Sequence, residues 1–463
     1  MADYDFLIIG AGTGGMAAAK KAANYGMKVA VIEKEKVGGT CLNRGCTPKK
    51  LMVYAADFAL QEPLAGSYGW QKCDKPALKD TASHNGMASQ RQLDWSKLMK
   101  NIHNRLDAIS NSFKETFADK GIDLIYGDAK FIGNNTVQVK EREITADKIL
   151  IAVGGHPIKP DFPGSDLAIT SREMFQLNKI PEKLAIVGGG YIGVEFASMM
   201  NAFGSQVVFM DTSELILSGF DKDLRSTVQQ GLIDRGIEFM GKTTAEKIEP
   251  EGERLKLHLD SGKTIIADKV LLATGRAPST KSLDLDRAGV KTGEKGEIKV
   301  DEYCRTKNQH IYAVGDCIDR IPLTPVAKAE AEAVVETLYG KTAKSINYDC
   351  VPSAVFSRPE AATIGLSESA ARDKYGDTVK CYCDRTTPML YSLADDEIQE
   401  QITIKLVVAE DDEKLVGVHM VGDHAADMIQ CLGVAVRKGI TKQDLDDSLG
   451  IHPTIGEEFM CMD

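Results

Sequence analysis

Two short glycine runs constrain this chain more than anything else in it. Gly10, Gly12 and Gly15 follow the apolar run Phe6-Leu-Ile-Ile, and Gly188, Gly190 and Gly193 follow Leu184-Ala-Ile-Val. Each run is GxGxxG, each opens a helical segment, and each is followed by a second apolar run ending in an acid, KVAVIE at 28–33 and QVVFMD at 206–211. From first glycine to acid is 23 residues in both copies, Gly10 to Glu33 and Gly188 to Asp211. One GxGxxG is a weak signal, whereas two copies between strand and helix with the same spacing are specific. The glycines permit a tight turn and let backbone N–H groups approach a pyrophosphate lying on a helix N-terminus. The acid accepts hydrogen bonds from ribose hydroxyls. The pattern predicts two Rossmann-like dinucleotide-binding domains in an α/β protein.

Five residues after Glu33 comes GGTCLNRGCTPKK, at 38–50. Cys41 and Cys46 bracket Gly45 and are followed by Pro48 and two lysines. In an unbroken helix five residues rise about 7.5 Å, while a disulfide wants its Cα atoms roughly 4.4–6.8 Å apart. A bond between the two therefore requires a distorted turn, and a strained disulfide reduces easily. Beside a nucleotide site the pair reads as a redox switch rather than a staple.

The 463 residues suffice for about three domains. With 56 basic against 67 acidic residues the net charge is −11 and no basic stripe stands out, which argues against nucleic acid and anionic membrane as partners. Ten scattered cysteines over this length do not make a secreted disulfide scaffold and fit a reducing compartment. The beginning, MADYDFLIIG, reads as an immediate buried strand without a presequence, so the expected location is cytoplasmic. The apolar stretch 184–200 is interrupted by Glu195 and rich in glycine, so no membrane span is expected.

Between the glycine runs, residues 99–120 read as a long amphipathic helix and residues 149–157 (ILIAVGGHP) as a strand and turn. Residues 71–93, with Cys73, are polar and read as a surface insertion. Residues 255–268 alternate around Asp260-Ser261-Gly262, a hairpin signal. From about residue 347 the character changes to strands such as 402–408 and a helix over 425–438, an α+β domain ending in HPTIGEE at 452–458.

On these residues the chain resembles the class I pyridine nucleotide–disulfide oxidoreductases, the group that holds glutathione reductase, dihydrolipoyl dehydrogenase and mercuric reductase. The resemblance runs end to end through GAGTGG at 10–15, GGTCLNRGCTPKK at 38–50, GGGYIGVE at 188–195, ATGRAP at 273–278, YAVGDC at 312–317 and HPTIGEE at 452–458. The paired lysines after Pro48, the segment Leu323-Thr-Pro-Val-Ala, Thr387-Pro388-Met389 and VGVHMVGD at 416–423 are most similar to glutathione reductase. The resemblance implies an FAD-binding domain over 1–152 that resumes at 280–346, an NAD(P)-binding domain over 153–279, and a C-terminal α+β dimerisation domain over 347–463.

It also implies roles. FAD would lie on Gly10, Gly12 and Gly15, with Glu33 at the adenosine ribose, and with Gly39, Thr40, Lys49, Asp316 and Thr324 around it. The nicotinamide cofactor would lie on Gly188, Gly190 and Gly193 with Asp211 and Arg276, and Tyr191 would gate its access to the flavin. Lys49 and Glu195 would pair beside the flavin, Cys46 would be the flavin-proximal thiol and Cys41 the exchange thiol. His452 would be the catalytic base, oriented by Glu457 and reaching the opposite subunit of a homodimer. A thiol needs its pKa lowered to ionise near neutrality, and a neighbouring histidine supplies that help and the returning proton.

The expected reaction is reduction of a small glutathione-like disulfide by NADH, with NADPH less favoured because Asp211-Thr-Ser-Glu214 offers no base for a 2′-phosphate and the third fingerprint position is Gly193 rather than alanine. Alignment places Lys20 and Glu332 where the family binds carboxylates of glutathione disulfide, and Ser110 where a tyrosine lines the site. Dihydrolipoyl dehydrogenase, a mercuric-type metal-ion reductase and a redox-sensing flavoprotein without turnover are the alternatives. The lysines after Pro48 disfavour the first, and Cys461 without a neighbouring cysteine disfavours the second. Cys381 and Cys383 lack a partner pair of metal ligands and read as buried small residues, so no metal is expected.

Overall fold

The computed structural model describes residues 2–70, 93–394, 400–409 and 413–462. The expected insertion, with Cys73, lies outside them apart from its last residue, Leu93.

The first unit runs β1 (Tyr4–Ile9), α1 (Thr13–Asn24), β2 (Val29–Glu33), α2 (Gly39–Arg44), α3 (Cys46–Ser67), α4 (Trp95–Asp119), β3 (Asp123–Tyr126), β4 (Ala129–Phe131), β5 (Thr136–Val139) and β6 (Arg142–Ile151). Its sheet has the order β3-β2-β1-β6-β5-β4. The half formed by β3, β2, β1 and the end of β6 is parallel. Phe6, Leu7, Ile8, Ile149, Leu150 and Ile151 are fully shielded there. Near-continuous apolar runs are what a parallel strand covered on both faces requires, and each such side chain stabilises by about 1.5–3 kcal/mol.

After β7 (Gly155–Pro157) and α5 (Ser171–Met174) the pattern repeats as β8 (Lys183–Val187), α6 (Tyr191–Ala202), β9 (Gln206–Met210), α7 (Lys222–Asp234) and β10 (Glu238–Met240). A three-stranded antiparallel sheet follows, β11 (Ala245–Glu251), β12 (Arg254–Leu259) and β13 (Thr264–Ala267), with the expected hairpin between the last two. The unit closes with β14 (Lys269–Leu272), parallel to β8, and β15 (Arg276–Pro278), antiparallel to β7. The chain then returns to the first sheet: β16 (Ile311–Ala313) pairs parallel with β6, and α8 (Thr324–Tyr339) packs against α1.

The last unit contains β17 (Ser353–Val355), β18 (Ala361–Gly365), α9 (Glu368–Tyr375), β19 (Val379–Thr386), β20 (Ile402–Ala409), β21 (Lys414–Val421) and α10 (Ala425–Lys438). Its antiparallel sheet has the order β17-β18-β21-β20-β19, and α10 covers β18 and β21 around Ile364, Leu406, Met420 and Ile429. The architecture is α/β, with two Rossmann-like units and a C-terminal α+β domain. Cys381 and Cys383 do lie on one strand, but they are half-buried and exposed rather than buried, because β19 is the sheet edge. No helix among the described residues is long and apolar enough to cross a membrane.

Candidate active site

The two glycine turns are built alike to the level of single contacts. A Cβ added at Gly10 would sit 2.4 Å from the carbonyl oxygen of Ala152, and one at Gly188 would sit 2.5 Å from that of Ala273. A Cβ at Gly15 would meet the Gly10 oxygen at 1.9 Å, and one at Gly193 the Gly188 oxygen at 2.1 Å. Only the middle glycines are open: Gly12 has Gly39 Cα as its nearest neighbour at 3.9 Å, and Gly190 has nothing within 4 Å. The outer glycines thus close the turn, and the middle one leaves a bare backbone facing the cavity, as a pyrophosphate requires. Gly10 and Gly188 also adopt φ of +106° and +111°, a region that side chains rarely enter.

The acids that end β2 and follow β9 brace these turns. Glu33 accepts from Ala11 N at 2.8 Å and Glu35 N at 2.8 Å. Asp211 accepts from Gly189 N at 2.5 Å and Ser213 N at 2.7 Å. Each carboxylate keeps further lone pairs for a ribose.

Three cavities form a series. The first, about 550 Å³, is lined by Gly188, Gly190, Asp211 and Arg276; the second, about 310 Å³, by Gly10, Gly12, Glu33, Gly39, Thr40, Lys49 and Thr324; the third, about 570 Å³, by Lys20, Phe113 and Glu332. Tyr191, Arg276 and Asp316 border both the first and the second. Cys41 borders both the second and the third, whereas Cys46 borders the second alone. The donor set and the open glycine fit FAD in the second cavity and a nicotinamide dinucleotide in the first.

The two thiols are free and separated by a break in the helix. Gly45, with φ −152° and ψ −119°, ends α2 and precedes α3, and a Cβ there would lie 2.9 Å from the Thr40 oxygen. The distorted turn expected from the spacing is thus present. Cys46 is the first residue of α3, and its Sγ lies 3.5 Å from the hydroxyl of Thr324, the first residue of α8. A hydrogen bond from Cys41, then the Thr324 hydroxyl and the Lys49 ammonium, outweigh burial and lower the Cys46 thiol to about 6. Cys41 moves the other way, pushed up because it holds the shared proton and is buried. The reduced pair is therefore one thiolate, on Cys46, and one thiol.

One turn along α3, Lys49 Nζ pairs with Glu195 Oε1 of α6 at 2.7 Å. Arg276 donates to the Gly155 oxygen at 2.7 Å and lies 3.5 Å from Asp316. His452 is 82% exposed, with its Nδ1 3.1 and 3.2 Å from the two oxygens of Glu457; Glu457 also accepts from Thr454 N at 3.1 Å. Among the described residues, no hydrogen bond joins His452 to either cysteine.

Residues 4–331 match the family described as pyridine nucleotide-disulphide oxidoreductase, and residues 351–462 match its dimerisation domain. The chain belongs to this family. Glutathione reductase of Nostoc sp. is 44% identical over 474 residues, with 99% of each chain covered. That of Burkholderia cepacia is 38% identical, covering 99% of this chain and 98% of its own. Glutathione reductase of Pisum sativum, chloroplastic/mitochondrial, is 36% identical, covering 99% and 82%. Among solved structures, a Cu(II) complex of the HOCl-induced flavoprotein disulfide reductase RclA from Escherichia coli is similar, with a TM-score of 0.85, 26% identity, and coverage of 99% and 98%. Family membership implies FAD, a pyridine nucleotide and disulfide reduction.

In this oxidoreductase the substrate residues expected from alignment divide. Lys20 and Glu332 line one cavity together with Cys41. Ser110 is not brought to it: it is fully buried and donates to the Val37 oxygen at 2.8 Å. The reason is helical phase, since Met99, Ile102, Leu106, Ser110 and Phe117 form the inward face of α4, whereas Ile109 and Phe113 face the cavity. Sequence reading also missed Lys21 and Lys328. Lys21 pairs with Glu336 at 2.9 Å, and Lys328 lies 3.8 Å from Glu332. Lys328 thus accompanies the Glu332 carboxylate, while Lys21, engaged by Glu336, also donates to the Glu332 backbone oxygen at 3.1 Å. Lys242 was missed as well: it arrives from just past β10 to pair at 2.9 Å with Glu214, three residues after Asp211.

Proposed function

We propose that the protein is a homodimeric, cytoplasmic, FAD-dependent reductase that passes electrons from NADH, in preference to NADPH, to a small glutathione-like disulfide. The observation that carries this reading is the position of Cys41 on the wall between the second and third cavities, with Cys46 facing the second alone. FAD, when bound, supplies a two-electron relay between a nicotinamide and the Cys41–Cys46 disulfide. The chain's residues do the rest. Thr324, Lys49 and the α3 N-terminus stabilise the Cys46 thiolate left after reduction.

Cys41, deprotonated by His452 of a second copy, attacks one sulfur of the substrate. A mixed disulfide forms, the substrate S–S bond breaks, and the leaving thiolate takes the proton back from His452. Cys46 then attacks Cys41, re-forming the internal disulfide and expelling the second thiolate, which takes one proton from solvent to leave as a thiol. The balance is NADH, one proton and a disulfide to NAD⁺ and two thiols. Exposure of His452, with Glu457 fixing its ring, fits a base offered to another subunit.

For the nucleotide, a 2′-phosphate would face the Asp211 carboxylate, and the neighbouring Lys242 is already engaged by Glu214. For the disulfide, Lys20 and Phe113 offer a cation and a flat apolar face beside Cys41, and Glu332 opposes a carboxylate there. A glutathione-like disulfide carrying fewer negative charges than glutathione disulfide suits this wall best. The deciding experiment is anaerobic titration with NADH followed by a panel of low-molecular-weight disulfides. Two thiols should appear per NADH consumed, and flavin reduction without any thiol release would defeat the reading.

A further inference from the structure

A residue of the C-terminal domain reaches the ion pair beside Cys46 without lining any of the three cavities. Phe356 directly follows β17. Its backbone N–H donates to Glu195 Oε1 at 2.9 Å, the same oxygen that Lys49 Nζ meets at 2.7 Å. Its ring centroid lies 4.0 Å from Lys49 Nζ and 4.1 Å from Lys50 Nζ, well inside the distance at which an aromatic face attracts an ammonium. The next residues fasten the segment to the same two helices. Arg358 N donates to Ser198 Oγ of α6 at 2.8 Å, Arg358 Nη2 to Asp57 of α3 at 2.7 Å, and Glu360 lies 3.6 Å from Lys50 Nζ.

Two lysines in sequence repel one another, and either could swing toward solvent. Glu195 is almost fully buried and, among the described residues, makes its ion pair with Lys49 alone. Lys50 is drawn instead to Glu360, and the Phe356 ring offers each ammonium a face. We propose that Phe356 is a positioning residue: its amide fixes the Glu195 oxygen and its ring fixes the Lys49 ammonium, so that the lysine's charge stays one helical turn from the Cys46 thiolate. The C-terminal domain thereby tunes a thiol whose cavity none of its described residues lines. This deepens the proposed function, since it concerns the thiol that the reading makes the electron-receiving one.

The test measures the rate of Cys46 carbamidomethylation by iodoacetamide against pH in the reduced, flavin-bound protein, with the modified peptide located by mass spectrometry. Phe356→Leu should slow the reaction at pH 6 by about threefold or more, in the same direction as Lys49→Met, and Phe356→Tyr should restore it. In a Lys49→Met background, Phe356→Leu should add nothing, because the ring then has no ammonium to place. Should the leucine variant lose its flavin, Phe356→Met keeps the volume without the aromatic face and is read the same way. A leucine or methionine variant that titrates with the unmodified protein overturns the proposal, as does a further slowing in the Lys49→Met background. Alkylation reads the thiol directly, so a failure here is distinct from a failure to reduce disulfides with NADH.

Discussion

Cys46 and Thr324, 278 residues apart in sequence, meet at 3.5 Å where the first turns of two helices converge. Both residues open a helix, where the positive end of the backbone dipole favours a thiolate, and the hydroxyl adds a donor. With Cys41 and Lys49 they hold the Cys46 thiol near 6. Because that value is depressed, the thiolate is present above about pH 6 and is lost as pH falls through it. Alkylation of Cys46 in the reduced protein should therefore switch on near pH 6. Cys41→Ala removes the strongest donor and should raise the midpoint; Cys41→Ser keeps a hydroxyl donor and should raise it less. Both should abolish turnover while flavin stays bound. Identical midpoints in the two variants would remove the role given to the Cys41 hydrogen bond.

The proposed preference for NADH rests on Asp211. Repulsion of a 2′-phosphate and the loss of two ribose hydrogen bonds together should exceed about 1.4 kcal/mol, or tenfold in kcat/KM in favour of NADH. Asp211→Asn with Glu214→Gln removes the repulsion and releases Lys242 from its ion pair. The double variant should narrow the gap mainly through a lower KM for NADPH. Steady-state kinetics with both nucleotides check this, and equal efficiency in the unmodified enzyme defeats it.

The third cavity makes an opposite-sign prediction for two of its residues. Lys20 enters no ion pair among the described residues and lies 5.9 Å from the Phe113 ring centroid, so Lys20→Met should raise KM for an anionic disulfide with kcat little changed. Glu332→Arg should lower KM for glutathione disulfide, again with kcat little changed. A low-micromolar KM for glutathione disulfide in the unmodified enzyme would show that Lys21 and Lys328 already offset Glu332.

His452 tests the dimer. His452→Ala should cost about 10²–10⁴ in kcat, and Glu457→Gln less, because it only loosens the ring. Cys41→Ser and His452→Ala subunits should each be inactive alone. After subunit exchange, the mixed dimers would pair an intact Cys41 with an intact His452 in one of their two sites, recovering roughly a quarter of full activity. No recovery despite proven exchange would place the histidine in its own subunit's site.

The glycine turns, the acids at residues 33 and 211, and the break between the cysteines were legible in the sequence because they are local. Each depends on backbone reach over a few residues, and only glycine satisfies the contacts that the turns impose. The helix over 425–438 and the hairpin at 255–268 were legible for the same reason, since apolar period and turn chemistry act within one element. Ser110 lies off the third cavity because the inward face of α4 is set by what α4 packs against. Lys242 and Phe356 left no local signal at all, whereas Lys328 stands four residues before Glu332 on α8, a spacing that the sequence does show. Lys242 reaches Glu214 because β10 lies parallel to β9, and Phe356 reaches Glu195 because the C-terminal sheet docks on α3 and α6. The sequence by itself determined which residues can turn, bind phosphate and exchange electrons. Only the tertiary structure decided which charges stand beside them, because Coulomb energy depends on distance through space and not along the chain.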